Sequence, residues 1–306
     1  MMTEQTMKPP ANTALSEIDF NYGQIRRDML VRRVGKILFL LNPIVSYFFL
    51  WAPIVVLVVL SFNKNKTVSV WGGFTLDWYA EIFNGTSQFT GDMVNALRNT
   101  LFIAVVSTLI STIIGTMVSI ALERGIFPGK KVVDAILYLP VVIPEITQAV
   151  SLAVFFKFLF DAFQGVTGRQ ATLGFGTIII GHVVFSVSFV VITIRGRLAD
   201  MNPRYEEAAR DLGANEWQTF WRVTFPLILP GIISGALLAF TLSLDDYIVT
   251  FFTNGVGTNT LPIFVYGLLR KAVSPEINAI STVLLLASMV LVGISLFIQG
   301  RGANRT

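Results

Sequence analysis

The chain is 306 residues long, 53% hydrophobic and only 14% charged. Soluble domains carry about a quarter charged residues, so this composition belongs in a membrane. The net charge of +4 is spread over basic clusters between apolar runs, which assigns it to membrane flanks and not to nucleic acid; the absence of cysteine excludes disulfides, thiolate chemistry and sulfur-ligated metals.

Along the chain, the first twenty or so residues are polar and are expected to be disordered. QIRRDMLVRRVGK, Gln24 to Lys36, reads as a basic interfacial helix. Apolar runs follow at 37–62, 99–122, 132–160, 173–194, 226–252 and 277–299. Each is near the ~20 residues that a spanning helix needs, which predicts six transmembrane helices. No small-residue cleavage site follows the first run, so it reads as an uncleaved span. The expected organisation is an extension over 1–36, a six-span domain over 37–299 and a tail over 300–306.

Within the spans, Ser111, Gly115 and Ser119, and likewise Gly231 and Gly235, are small residues four apart that let helices pack closely. Pro140 and Pro144 should kink or break the third span. His182, the single histidine, reads as a buried hydrogen-bonding residue, and Lys157 as a snorkelling group or a partner of Asp161. The 63–97 connection, with Trp71, Trp78, Tyr79 and Phe83, reads as an interfacial segment.

Lys and Arg in the connections set the expected orientation. The N-terminal segment, the 123–131 turn, the 195–225 loop and the tail hold 16 of them, the alternate connections only 5. The positive-inside rule therefore predicts both termini in the cytoplasm. The same rule puts the polar stretch YEEAARDLGANEWQTFWRV, from Tyr205, on the cytoplasmic side. There MNPRYEEAARDLG reads as a helix over about 203–213, with Asn202 as N-cap, Pro203 in its first position and Gly213 at its stop. Glu206 and Glu207 favour its positive end, and Ala208 and Ala209 give it a bare surface that another backbone can approach. A second short helix, NEWQTFWRV, leads to Pro226.

Glu207-Ala208-Ala209, three residues, Gly213, nine residues and Val223-Thr224-Phe225-Pro226 resemble the E-A-A-x3-G-x9-I-x-L-P signature of permease subunits of binding-protein-dependent ABC importers. Val223 and Phe225 depart from it conservatively and the spacing is intact. Within that family the chain is most similar to spermidine/putrescine permeases, through Pro144-Glu-Ile146, Ser243-Leu-Asp-Asp-Tyr247, Thr260-Leu-Pro262 and Ser274-Pro-Glu-Ile-Asn-Ala279. The resemblance implies an all-α type I importer permease in a bacterial inner membrane. It makes 203–213 a coupling helix, with Glu207 pairing with basic residues of an ATPase subunit, Ala208 and Ala209 permitting close docking, and Gly213 making the turn. It also implies a second permease subunit, two cytoplasmic ATPase subunits and an extracytoplasmic polyamine-binding protein. No cofactor is expected on this chain, since ATP-Mg would sit on the ATPases.

A charge at mid-membrane costs about 3 kcal/mol on insertion scales, so the acids inside the spans should face an interior or a water path. Glu145, Asp245 and Asp246 qualify. At ~1.5 Å per residue, Glu145 lies roughly 20 Å above the cytoplasmic start of its helix and the Asp pair about 30 Å, in the outer half. Adjacent aspartates fall about 100° apart on a helix. Asp246 shares a stripe with Ser243, Thr250 and Asn254, and is expected to face the pathway. Asp245, with Leu238, Thr241, Ile248 and Phe252, is expected to be a second contact or a partner to a neighbouring helix.

An intramembrane enzyme is the rival class, yet neither H-E-x-x-H nor G-x-S-x-G occurs. Gly125-Ile-Phe-Pro-Gly-Lys130 is one residue short of a phosphate loop, and Lys131 stands in place of Ser/Thr, so the chain is expected to need a partner's ATPase. A passive channel would leave the coupling-type helix without a purpose.

Overall fold

The computed structural model describes residues 22–87, 89–271 and 274–303. Among them the architecture is all-α, with a lone bridge between Asn63 and Phe74. The expected disorder of the first twenty or so residues, and the last three residues of the expected tail, lie outside the described residues. The chain divides into two compact units, one ending at Leu57 and one beginning at Val58.

The described part of the first unit is α1, Tyr22–Leu60, as far as Leu57; the last three residues of the helix fall in the second unit. This helix is unbroken from the basic segment through the first apolar run, with Pro43 and Pro53 inside it. The segment 24–36 is therefore helical as expected, and continuous with the first span.

In the second unit a short α2, Asp77–Phe83, precedes α3, Thr90–Arg124. Then come α4, Lys130–Val142; α5, Glu145–Thr167; and α6, Phe175–Asp200. The polar stretch forms α7, Arg204–Asp211, and α8, Glu216–Thr219, which passes through a π-helical turn, Phe220–Thr224, into α9, Phe225–Asp245. The chain continues with α10, Ile248–Thr253; α11, Leu261–Lys271; and α12, Pro275–Ala303. Among the described residues five helices are long and apolar enough to cross a membrane: Phe39–Leu60, Thr90–Arg124, Glu145–Thr167, Phe175–Asp200 and Glu216–Asp245. The sixth expected span corresponds to α12, whose shorter apolar stretch is Pro275–Val290.

Small residues fix the centre of this unit. Ser111, Gly115 and Ser119 of α3 and Gly231 and Gly235 of α9 are all buried. A Cβ added at Gly115 would lie 2.6 Å from Val190 Cγ1, and one at Gly231 2.9 Å from Arg197 Cβ, so α3 and α9 each close on α6 with no clearance at these glycines. Lipid supplies no hydrophobic drive between spans, and close van der Waals approach replaces it. Ser119 Oγ donates back to Gly115 O at 2.6 Å and lies 3.3 Å from Val191 O, so its hydroxyl is satisfied inside the seam. Val190, Ile194, Leu198, Met201, Ile228 and Ala239 fill the core towards the α7 end.

Two expected spans are broken. Pro144 lacks an amide hydrogen and Ile143 before it is extended (ψ 132°), so the third apolar run splits into α4 and α5. The Gln148 amide bridges the break, donating to Pro140 O at 2.6 Å and Ile143 O at 2.9 Å. The fifth run breaks at Asp246, also extended (ψ 124°), although no proline or glycine marks the place. The Asp246 carboxylate replaces the lost backbone partners: Val249 N donates to Oδ1 at 3.2 Å and Thr250 N to Oδ2 at 2.8 Å. Irregular backbone at membrane depth persists where it is buried in protein or lines a cavity.

Candidate functional site

Both breaks lie towards the end of the unit opposite α7, and they bring the three in-span acids together. Glu145 opens α5, Asp245 closes α9 and Asp246 caps α10. Ala149 of α5, Phe185 of α6 and Val249 of α10 pack in one buried cluster, which brings Glu145, His182 and Asp246, each about one turn away on or beside the same helices, to one place, with Asp245 next to Asp246. Gly181 permits it: a Cβ there would meet Val249 Cγ1 at 2.8 Å, and its absence lets α10 lie against α6 beside His182.

The two aspartates differ sharply in setting. Asp245 and Glu145 are exposed, whereas Asp246 is 5% exposed. Asp246 Oδ2 accepts from Thr250 Oγ1 at 2.6 Å and lies 3.1 Å from His182 Nε2. His182 Nε2 is also 2.9 Å from Thr250 Oγ1, and Nδ1 is 2.6 Å from Ser243 Oγ, which in turn faces Ser107 Oγ at 3.1 Å. The stripe of Ser243, Asp246 and Thr250 is thus a contiguous buried network. In this structure Asp246 does not face an open path as expected: the helix break turns its carboxylate back onto the amides of α10 and onto His182. The open carboxylates are Glu145 and Asp245. His182 is, as read from the sequence, a buried hydrogen-bonding residue, but its partnership with Asp246 was not foreseen. Lys157 pairs with Asp161 at 2.9 Å on the exposed face of α5.

At the other end, α7 presents a second surface. Asn202 Oδ1 accepts from Arg204 N at 3.0 Å, and Gly213 adopts φ +82°, the left-handed conformation that suits glycine at a helix stop. Asn215 and Gln218 form a reciprocal capping box that starts α8, at 2.8 and 3.0 Å. Glu207, Ala208 and Leu212 are exposed, the last at 89%. Ala209 and Gly213 line a shallow hollow of about 270 Å³ with Leu212, Ala214, Gln218, Arg222 and Val223. The exposed apolar Leu212 thus stands beside this hollow, with exposed Glu207 on the same helix.

Sequence reasoning missed Glu206. It points inward from α7, accepts from Thr224 Oγ1 at 2.8 Å and pairs with Arg124 Nε at 3.1 Å. The pair is a charge contact and not an aligned hydrogen bond, because Arg124 Nε has no acceptor in line. The signal was present as adjacent glutamates, which a helix must aim to different sides. Nearby, Arg195 of α6 pairs with Asp134 of α4 and lies 3.5 Å from Glu123 of α3, so the ends of these helices are tied by charge.

Comparison with known proteins follows the same lines. Residues 111–305 match the family described as binding-protein-dependent transport system inner membrane component. The chain is 37% identical over 246 residues to the spermidine/putrescine transport system permease protein PotC of Escherichia coli K12, covering 80% of this chain and 88% of that protein. It is also 37% identical over 277 residues to the putrescine transport system permease protein PotI of the same organism, covering 90% of this chain and 94% of the relative. Among solved structures, a chain of a bacterial ABC transporter that imports the polysaccharide alginate superimposes with a TM-score of 0.69 at 20% identity, over 92% of this chain and 98% of that one. A chain of the MetNI methionine ABC transporter, in an inward-facing conformation, gives 0.52 at 19% identity, over 74% and 97%. The chain therefore belongs to the family of binding-protein-dependent transport system inner membrane components and is a multi-pass permease of the inner membrane.

Proposed function

We propose that this permease is a subunit of an ATP-driven importer that moves polyamines such as spermidine and putrescine into the cytoplasm by alternating access. The observation that carries the reading is the cluster of Glu145, Asp245 and Asp246 at two broken spans. Polyamines are flexible chains of ammonium groups with donors and no acceptors, and spaced carboxylates suit them better than one tight cage. The names of the relatives, which transport spermidine or putrescine, support the same substrate class.

In this reading both termini and α7 lie in the cytoplasm, and the carboxylate cluster lies in the outer half of the membrane. A polyamine-binding protein delivers substrate from outside, and a second permease subunit completes the pathway. Two ATPase subunits dock from inside, each able to meet a helix like α7: Glu207 is free to pair with basic groups, Ala208 and Ala209 allow close approach, and Gly213 turns the chain towards α8. The chain supplies no ATPase site of its own, and ATP-Mg is bound by the partners.

Uptake of radiolabelled spermidine and putrescine by the assembled importer, with and without ATP inside the vesicles, tests the reading. ATP-dependent uptake that falls when Glu145 and Asp245 are neutralised together supports it. Uptake that continues without ATP makes the protein a passive channel. Uptake unaffected by the double variant removes the cluster from the pathway.

A further inference from the structure

Directly after its two aspartates the chain carries an aromatic tier. The ring of Tyr247 lies 5.5 Å from that of Phe251 and 4.7 Å from that of Tyr266 in α11, centroid to centroid. Phe251 and Tyr266 are exposed. The Cα atoms of Asp245 and Tyr247, next-but-one neighbours in the chain, lie no more than about 7 Å apart, within reach of one flexible ammonium chain.

The fold holds α11 firmly in this place. Its first amide, Leu261 N, donates to Thr100 Oγ1 of α3 at 2.8 Å. Just before it, the Asn99 amide donates to Gly257 O and Asn259 O at 3.2 and 3.0 Å. Leu261 and Leu268 are buried in a core with Ile277, Ile280 and Leu284. Tyr266 falls about 200° round the helix from Leu268, so it stands away from that core, and Arg270, one turn further on, shares its face.

What already lies on Tyr266 shows the chemistry of the ring. Arg270 Cζ sits over it, 4.9 Å from the centroid, and Nη2 donates to Tyr266 Oη at 3.2 Å. Among the described residues no ion pair includes Arg270, so its charge is seated on an aromatic face. A face that holds a guanidinium attracts an alkylammonium through the same quadrupole. A polyamine also brings apolar methylene segments between its charges, and rings pack against these where carboxylates cannot. Arg270 and Tyr266 alone would be an ordinary surface pair on one helix. Tyr247, set against Tyr266 beside the break at Asp246, joins that pair to the acids.

Resting on the polyamine reading above, we propose that Tyr247, Phe251 and Tyr266 form an aromatic subsite for one ammonium group and its flanking methylenes beside Asp245, and that Arg270 occupies it until a polyamine arrives. The polyamine lays one ammonium against Asp245 and its next segment on the rings, while the guanidinium swings off Tyr266 into water on its flexible stem. No bond or proton changes hands. Arg270 therefore competes with the substrate, and removing it tightens binding.

The test is equilibrium binding of radiolabelled spermidine to the importer in lipid nanodiscs, assembled with its partner subunits and a non-hydrolysable ATP analogue but without the binding protein. Tyr266→Leu should weaken binding about fivefold or more, whereas Tyr266→Phe, which keeps the ring, should stay within about twofold of the parent. Arg270→Gln should tighten binding severalfold, and the gain should vanish when Tyr266→Leu is combined with it. A gain that persists without the ring assigns the effect to charge repulsion and overturns the subsite. So does unchanged or weaker binding in Arg270→Gln, or parental affinity in Tyr266→Leu. In each of these cases polyamine uptake by the parent in vesicles leaves the import reading standing. A parent importer that takes up no polyamine overturns both readings together.

Discussion

At the scale of single residues, the three acids are not equivalent, and the difference sets what neutralising each should do. Glu145 and Asp245 are exposed, so Glu145→Gln and Asp245→Asn should assemble normally and lower polyamine uptake severalfold. Uptake measured at matched protein levels checks this. Asp246→Asn should do more, lowering uptake and the yield of folded protein together. Removing one partner of a buried pair typically costs ~3–5 kcal/mol, and Asn presents an amide where the amides of α10 and His182 need an acceptor. Thermal unfolding of the purified variant, set against Asp245→Asn, separates the two effects. The identities of these acids were legible because charge inside an apolar run is rare. Their orientation was not. Helical periodicity assumes a continuous helix, and Asp246 is the residue at which the helix stops.

At the scale of elements, α7 has two unlike faces. Its outer face carries Glu207 and Ala208, and substituting Glu207→Lys or Ala208→Trp should leave membrane insertion intact while transport falls and ATP hydrolysis loses its dependence on substrate. Measuring uptake and hydrolysis in the same vesicles tests this; normal coupling in either variant would remove the docking role from α7. The inner face carries Glu206, and Glu206→Gln should loosen α7 from Arg124 and Thr224, seen as faster amide exchange in Arg204–Asp211. The seam between α3 and α6 makes a sharper demand. Gly115→Leu forces volume against Val190 where a single Cβ already falls at 2.6 Å, costing about 1–3 kcal/mol or more, with a lower melting temperature as the readout. The long helices, the glycine stop at Gly213 and the small-residue seams followed from the sequence, but the start of α7 did not: Pro203 and not Asn202 is its N-cap, and the helix begins at Arg204. The break at Pro144 was also legible from proline chemistry. The break at Asp246 was not, because it depends on a carboxylate finding His182 and Thr250 on other turns of the fold.

At the scale of the whole molecule, orientation is open to a direct measurement because the chain has no cysteine. Val256 is fully exposed at the end opposite α7, and Asn215 is exposed beside it. Val256→Cys should react with an impermeant thiol reagent on intact cells, and Asn215→Cys only after the membrane is opened; the reverse pattern would place α7 outside and end its role with an ATPase. Class was readable from composition and the long helices from the apolar runs, while the joining of distant acids into one cluster needed the packing of α5, α6, α9 and α10. The Arg124–Glu206–Thr224 tie has a mechanical meaning of its own. It fastens α7 at once to the end of α3 and, through the residue just before it, to the start of α9. A displacement of α7 would therefore reach two long helices that both pack on α6 at Val190. The 21 residues of α9 make an arm of roughly 30 Å, so a tilt of about 10° would swing its far end by ~5 Å, and that far end is Asp245.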